Sequence, residues 1–284
     1  MTVYVFPGQG SQKIGMGETL FGAYPELLNQ ANEILGYDLA ALCLNDVDGQ
    51  LNQTQFTQPA LYVVNAMCYF DLMAQRPKVP NYVMGHSLGE YNALLAAGVF
   101  DFATGLRLVQ ERGRLMSLAK RGGMMAVIGL STDAIQSILA HHANDASWCI
   151  ANYNSLMQSV ISGPRESMDA LQKAFEQSDA KMVVPLAVSG AFHSPLMQEA
   201  SQQFKTFLQQ FEYKNPKIPV IANTNAKPYE GESVVVEQLA HQMTQPVLWT
   251  DMVQSMLTKC ETEFVEVGPG KVLSGLIRRI QNQQ

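Results

Sequence analysis

The pentapeptide Gly85-His86-Ser87-Leu88-Gly89 joins a strand pattern, NYVMG, to a helical pattern, SLGEYNALLAAGVF. Strand, G-x-S-x-G and helix in this order form a nucleophile elbow, a strained turn where side chains at the flanking glycine positions would collide. The turn presents the serine hydroxyl at the mouth of a sheet, and the Leu88 amide at the helix start lies where an oxyanion would form. We therefore predict Ser87 as a nucleophile. The alternative is a chance match, because short patterns with three fixed positions recur.

Apolar strand patterns alternate with helical patterns along most of the chain, as in TVYVFPG, NYVMG, PVIAN and EFVEVG. Such alternation indicates a parallel sheet covered by helices. With the elbow, it predicts a large α/β-hydrolase-like domain made of residues 1–123 and 193–284. Within it, Ala60–Ala74 is apolar nearly all round and is predicted to be a buried helix. The polar stretch at 45–59 is predicted to be a loop, and the helix Phe102–Ala119 is predicted to end in Gly122-Gly123.

Residues 124–192 have a different pattern. Strand MMAVIGL, helix STDAIQSILAHH, strands SWCIANYN and SVISG, helix RESMDALQKAFEQS and strand KMVVPLAV follow one another. The order β-α-β-β-α-β is the signature of a ferredoxin-like unit. We therefore expect an α/β protein in which a small ferredoxin-like (βαββαβ) subdomain is inserted into the large domain.

A serine nucleophile needs a base, and the chain has five histidines. His86 adjoins Ser87, so its side chain should diverge from the serine hydroxyl at a tight turn. His141 and His142 end a helix, where a favourable interaction with the helix C-terminus explains them. His193, in VSGAFHSPLM, lies where the chain returns to the large domain and is the best-placed general base. The alternative is a core or capping histidine.

Two further features have a simple and a functional interpretation. Arg112 lies mid-helix in LVQERGRLM, where it is either solvated or a guanidinium fork that grips a substrate carboxylate. Gln9 lies in the turn FPGQGSQ, which is either a surface turn or a Gly-rich loop whose amides approach a ligand closely. The segment GPGKVLSG resembles a nucleotide loop, but a valine replaces the first glycine of that pattern and another follows the lysine, so we reject it.

Composition excludes several classes of function. The 284 residues are 47% hydrophobic and carry a formal charge of −6, which indicates a sizeable core and argues against nonspecific nucleic-acid binding. Four scattered cysteines show no metal-ligand spacing and are expected to be reduced thiols. With no visible signal peptide and no run long enough to span a bilayer, we expect a cytoplasmic protein without metal.

Seven sequence blocks together resemble malonyl-CoA:acyl-carrier-protein transacylases. They occur in the order of that family, from Phe6 to about Ile280: FPGQGSQ, GHSLGE, RG in the next helix, NYNS with QSVISG, GAFHS, Q-x-x-x-P-V-x-W and EVGPGKVLSGL. The resemblance implies that Ser87 is the acylated nucleophile and His193 its base. A main-chain carbonyl orients the histidine in that family, and the matching position is Gln242. One departure is Gln245, which stands where the family usually has asparagine.

The same resemblance implies the substrate contacts. Backbone amides of Gln9 and Leu88 match the oxyanion hole, and Arg112 matches the arginine that pairs with the malonyl carboxylate. Phe192, before the base, fills the space that an α-methyl branch would need, which predicts a preference for malonyl over methylmalonyl groups. His86 and Asn154 are expected to complete the substrate-binding residues.

The implied activity is ping-pong transfer of a malonyl group from malonyl-CoA to the phosphopantetheine thiol of a holo acyl carrier protein, with no cofactor. The stretch LNQTQFTQPALYVVNA resembles the stand-alone acyltransferases that serve trans-acyltransferase polyketide synthases, so polyketide synthase carrier domains are the expected partners of a monomer. Alternatives are service to housekeeping fatty-acid synthesis, a thioester hydrolase of the same fold, and a non-catalytic carrier-binding module. Candidates for carrier docking are six basic residues: Arg107, Arg114, Lys120, Arg121, Arg278 and Arg279.

Overall fold

The computed structural model describes residues 1–119, 122–142, 148–188, 190–259 and 262–282. Its strands are β1 (Thr2–Phe6), β2 (Tyr82–Gly85), β3 (Gly122–Ile128), β4 (Cys149–Ser155), β5 (Gln158–Pro164), β6 (Met182–Pro185), β7 (Val220–Ile221) and β8 (Glu263–Glu266). Its helices are α1 (Glu18–Ala23), α2 (Pro25–Leu35), α3 (Leu39–Leu44), α4 (Thr54–Gln75), α5 (Gly89–Ala96), α6 (Phe102–Leu118), α7 (Thr132–His142), α8 (Met168–Glu176), α9 (Gln198–Leu208), α10 (Val235–Gln242), α11 (Trp249–Leu257) and α12 (Val272–Gln281).

Four parallel strands form the first sheet, in the order β7-β2-β1-β8. Every residue of β1 is buried, as expected for a strand covered by helices on both faces. Tyr4 and Phe6 pack into one core, whereas Val3 and Val5 pack into a second core with α11 and α12. The carboxyl ends of β1, β2 and β7 therefore meet at one edge, the place where open α/β sheets bind ligands.

Four antiparallel strands form the second sheet, in the order β4-β5-β3-β6. One face carries Met125 and Val127, which pack with α7 and α8 in a separate core. The other face carries Met124 and Val160, which pack into the larger core of the first sheet. The chain is thus a mixed α/β protein with a parallel sheet and a separate antiparallel sheet. The division at residues 123/124 and 192/193 stays a prediction.

Two local predictions were wrong. The stretch Thr54–Pro59 is not loop but the start of α4, because a polar run can be helical and buried: Thr57 and Gln58 are at most 1% exposed. Pro59 lies in the second turn, so only one early backbone hydrogen bond is forgone. Gly122-Gly123 does not end α6 but opens β3, where a Cβ on Gly122 would collide with the Ala191 backbone. These glycines permit close packing.

Candidate active site

The nucleophile elbow has the strained geometry that its pattern predicts. Ser87 has φ +52°, in the left-handed region that side chains disfavour. A Cβ on Gly85 would collide with the backbone of Gly89, and a Cβ on Gly89 would collide with the Phe6 carbonyl. Both glycines are therefore needed for β2, the turn and α5 to pack against β1.

His193 contacts the serine hydroxyl. Its Nε2 lies 2.7 Å from Ser87 Oγ, and its Nδ1 lies 2.7 Å from the main-chain oxygen of Gln242. A carbonyl oxygen accepts only, so Nδ1 carries the proton and Nε2 accepts from the Ser87 hydroxyl. Burial, with the nearby Arg112 cation, lowers the pKa of His193 to about 3. The imidazole is thus neutral at ordinary pH and able to take a proton.

Arg112 is buried rather than solvated, with 1% of its surface exposed. Its Nη1 donates to Gln58 Oε1 at 2.7 Å, and its Nη2 donates to Ser87 Oγ at 3.1 Å and to Gln242 Oε1 at 2.9 Å. Burial lowers the pKa of the guanidinium. Within the described ranges Arg112 forms no ion pair. A buried cation that faces a nucleophile without a carboxylate partner suits an anionic substrate.

Gln9 and Leu88, whose backbone amides are the predicted oxyanion donors, both line the cavity next to Ser87. Leu88 precedes α5, so its amide is one of the donors that a helix start leaves without an intrahelical acceptor. Gln9 follows Gly8, where a Cβ would lie 3.6 Å from the Leu88 amide nitrogen. Asn65 fixes this turn by donating to the Pro7 oxygen at 2.9 Å. Neither amide has an acceptor among the described residues, so both are available to an oxyanion.

A small cavity of about 80 Å³ opens at the serine hydroxyl. One wall comes from the loops and helices around the parallel sheet, and the other comes from the antiparallel sheet and the segment that follows it. Phe192, 5% exposed, belongs to the second wall. The lining residues are Gln9, Gln58, His86, Ser87, Leu88, Arg112, Met116, Met124, Asn152, Leu186, Val188, Phe192 and His193.

His86 and Asn154 contact each other. His86 Nε2 lies 2.8 Å from Asn154 Oδ1, and its ring packs against Trp249 at 5.5 Å between centroids. Burial lowers the pKa of His86. His86 lines the cavity, whereas the residue of β4 that lines it is Asn152 rather than Asn154. The direct substrate contact of Asn154 stays a prediction.

A buried polar network that the sequence did not predict lies beneath the elbow. Asn223 accepts a hydrogen bond from the Ser87 amide at 2.7 Å and donates to the Gly85 oxygen at 2.7 Å. Glu90, 1% exposed, accepts from the Tyr229 hydroxyl at 2.7 Å. The Gln242 side chain connects this network to Arg112: it donates to the Glu90 carboxylate and accepts from the guanidinium. A glutamate in the mostly apolar run GEYNALLA was the available signal, because an unpaired charge is not expected there.

The predicted basic docking residues are dispersed. Arg114 pairs with Glu111 at 2.6 Å on α6, which packs on α4 and α9, whereas Arg279 lies on α12, which packs on α11 and β8. Lys120 and Arg121 lie outside the described residues, as does Cys260. Cys43, Cys68 and Cys149 are free thiols. Across the described part of the chain, no group of three metal-ligating side chains converges and no helix could cross a membrane.

The chain is similar to known proteins over nearly its whole length. The chain is 50% identical to the polyketide biosynthesis malonyl CoA-acyl carrier protein transacylase PksC of Bacillus subtilis, over 99% of this chain and 97% of that protein. The crystal structure of the malonyl CoA-acyl carrier protein transacylase of Burkholderia pseudomallei superposes with a TM-score of 0.97 at 43% identity, covering 100% of this chain and 99% of that one.

A malonyl-transacylase solved in complex with AntF, a type II polyketide synthase acyl-carrier protein, superposes with a TM-score of 0.94 at 36% identity, covering 99% of this chain and 93% of that one. The family model for the acyl transferase domain matches residues 3–283. Nearly the whole chain lies within that match, and the chain belongs to the acyl transferase domain family.

Proposed function

We propose that this enzyme transfers a malonyl group from malonyl-CoA to the phosphopantetheine thiol of an acyl carrier protein, through malonyl-Ser87. The observation that carries the proposal is the position of Ser87 Oγ, 2.7 Å from a neutral imidazole and 3.1 Å from a buried guanidinium. The first group activates a hydroxyl for acyl transfer, and the second selects an acyl group that ends in a carboxylate. The names of the relatives above describe the same chemistry.

In the first half-reaction, Ser87 Oγ attacks the thioester carbonyl carbon while its proton passes to His193 Nε2. Negative charge develops on the carbonyl oxygen, and the amides of Gln9 and Leu88 stabilise it. The Gln242 carbonyl holds the imidazolium through Nδ1. The carbon–sulfur bond then breaks, and the CoA sulfur takes the proton from His193. Arg112 binds the malonyl carboxylate throughout.

In the second half-reaction, the carrier thiol gives its proton to His193 and attacks the ester carbonyl of malonyl-Ser87. The carbon–Oγ bond breaks, and Ser87 recovers its proton from the imidazolium. The net change is exchange of one thiol for another, so no cofactor is needed beyond the CoA substrate.

We infer service to a polyketide synthase, with its carrier domains as partners of a monomeric enzyme. The 50% identity to PksC supports this pathway over housekeeping fatty-acid synthesis, which would use the same chemistry. Phe192 supports preference for malonyl over methylmalonyl groups, because it fills one wall of a small cavity. His86 and Asn154 complete the proposed substrate-binding set.

We further propose that the parallel-sheet unit is α/β-hydrolase-like and that residues 124–192 form a ferredoxin-like subdomain. The elbow between β2 and α5 supports the first assignment. The order β3-α7-β4-β5-α8-β6, with antiparallel pairing throughout the second sheet, supports the second.

Incubation with radiolabelled malonyl-CoA tests the function. We expect label on Ser87 without carrier protein, transfer of that label when holo carrier protein is added, and no label on Ser87→Ala. Label released mainly as free malonate in the presence of carrier would identify a hydrolase instead. Wild-type protein that never becomes labelled would contradict both and favour a non-catalytic carrier-binding module. The buried Arg112 argues against the hydrolase, because chains that lack a carboxylate do not need it.

A further inference from the structure

The carboxylate of Glu90 lies at the centre of the buried network beneath the active site. Oε1 accepts hydrogen bonds from the Tyr229 hydroxyl at 2.7 Å and from the main-chain N–H of Asn223 at 3.3 Å. Oε2 accepts a short hydrogen bond from Gln242 Nε2. Each of these partners donates, which is the arrangement that a carboxylate anion requires. Burial raises the pKa of this carboxyl to about 7, and the hydrogen bonds oppose that rise.

Gln242 contacts the base and the guanidinium of the proposed mechanism and the backbone of the nucleophile. Its main-chain oxygen accepts from His193 Nδ1 at 2.7 Å. Its Oε1 accepts from Arg112 Nη2 at 2.9 Å, and its Nε2 donates to the Ser87 main-chain oxygen at 2.9 Å as well as to Glu90. An amide can rotate by half a turn and exchange its oxygen and nitrogen. In that orientation the NH₂ group of Gln242 would face the Arg112 guanidinium. Two hydrogen-bond donors would then oppose each other without an acceptor between them.

We propose that Glu90 is a positioning residue that acts through Gln242, fixing the orientation of its side-chain amide so that Arg112 stays aligned beside Ser87. The carboxylate requires a donor, which places Nε2 toward Glu90 and therefore Oε1 toward Arg112. Glu90 does not touch the cavity, since it is absent from its lining residues. This inference rests on the proposed function, because it assigns Arg112 to the malonyl carboxylate.

Two effects of Glu90 have opposite signs. As a fixed negative charge, Glu90 opposes binding of an anionic acyl group, so its removal would strengthen malonyl loading. As a positioning residue, it keeps Arg112 in place, so its removal weakens malonyl loading. We expect positioning to dominate, because Gln242 separates the carboxylate from the guanidinium and the Arg112 hydrogen bond depends on the amide orientation. Whether malonyl loading rises or falls when the Glu90 charge is removed therefore decides between the two effects.

The experiment compares the rates at which Ser87 is loaded from malonyl-CoA and from acetyl-CoA. Glu90→Gln keeps the shape of the side chain and removes its charge. We expect malonyl loading to fall about tenfold, equivalent to about 1.4 kcal/mol, and acetyl loading to fall less than threefold. An unchanged or increased malonyl-to-acetyl ratio would overturn the proposal. Wild-type protein that fails to load malonate would instead refute the proposed function itself.

A double-mutant cycle tests whether Glu90 acts through Gln242. Gln242→Met removes the side-chain amide and keeps the main-chain carbonyl that binds His193. If the two residues act as one unit, adding Glu90→Gln to Gln242→Met changes the malonyl-to-acetyl ratio less than twofold. Two effects that multiply would contradict the proposal. If Glu90→Gln does not fold, Gln242→Met keeps the proposal falsifiable, because an unchanged ratio in that variant would overturn it.

A matched control is Tyr62→Phe. The Tyr62 hydroxyl is buried and donates to the Phe102 oxygen at 3.2 Å, so this variant also loses one buried hydrogen bond, on α4 and away from Gln242. We expect a comparable loss of thermal stability and a malonyl-to-acetyl ratio within twofold of wild type. A similar fall of the ratio in Tyr62→Phe would show that Glu90→Gln acts through general destabilisation.

The pH profile gives an independent readout. The titratable and charged groups that face Glu90 are Tyr91 from α5, Tyr229 from the segment after β7, and Arg112 from α6. Burial raises the pKa of both tyrosines, so they stay neutral. The anion of Glu90 is lost as the pH falls through about 7. The wild-type malonyl-to-acetyl ratio should therefore fall on acidification, whereas a Glu90→Gln ratio that also falls would contradict the proposal.

Discussion

The two walls of the cavity differ in how their side chains are held. The wall from the parallel-sheet unit is polar at Ser87, His193 and Arg112, which are hydrogen-bonded to one another or to Gln242, a residue that does not line the cavity. The wall from the antiparallel sheet and its exit segment is mostly apolar, with Met124, Leu186 and Phe192. Hydrogen bonds hold the polar side chains of the first wall in place, and packing holds the apolar side chains of the second. We therefore expect changes to the groups of the first wall that move the proton to lower the loading of every acyl group, changes to Arg112 in the same wall to alter selection by charge, and changes in the second wall to alter selection by size.

The largest expected effect is that of His193→Ala in the polar wall. Loss of the general base should lower the loading of Ser87 about 10³-fold or more for malonyl and acetyl groups alike. Stopped-flow measurement of acyl-enzyme formation checks this. A loss confined to malonyl loading would mean that His193 binds the carboxylate, as Arg112 is proposed to do, rather than the proton.

An intermediate effect is expected for Phe192→Ala in the apolar wall. Space for an α-methyl branch should raise the methylmalonyl-to-malonyl ratio of loading rates about tenfold, since a methyl-sized difference contributes about 1–3 kcal/mol. Phe192→Leu, which opens less space, should give a smaller increase. Competition between the two CoA thioesters measures the ratio. An unchanged methylmalonyl-to-malonyl ratio with a large loss of all loading would contradict a role of the apolar wall in selection by size.

The smallest expected effect is the pH dependence of acetyl loading, which does not use Arg112. His193 has a pKa lowered to about 3, so its reactive neutral form persists as the pH falls through the ordinary imidazole range near 6.5. We expect an acetyl loading rate that is flat within twofold between about pH 5.5 and 8. A decline centred near 6.5 would show that the imidazole is solvated and that the polar wall is open to water.

The sequence predicted much of the fold because strands such as β1 and β2 are apolar, short and largely buried. The elbow at Ser87 was predictable for a steric reason, since two glycines are required where β2, α5 and β1 meet. Assigning His193 and Arg112 needed the family resemblance, because residues 87, 112 and 193 converge only through the topology. A lone histidine or arginine in a sequence does not indicate its neighbours.

The buried polar residues that were assigned wrongly or not predicted from the sequence share a physical cause. Thr57 and Gln58 were interpreted as loop residues because polar runs are usually exposed, yet Gln58 is polar because it accepts from Arg112. The burial of Glu90 was not predicted either, because the three donors that compensate it come from distant segments. Burial of polar groups depends on partners that local sequence does not contain. The polar wall is therefore the harder wall to predict.

We propose that Ser87 lies between a general base, which acts whatever the acyl group, and a guanidinium, which binds a carboxylate. The most direct measurement is the ratio of malonyl to acetyl loading rates in Arg112→Ala. Loss of hydrogen bonds to a charged group predicts malonyl loading lowered about 100-fold, with acetyl loading maintained or improved. An unchanged ratio would contradict the claim.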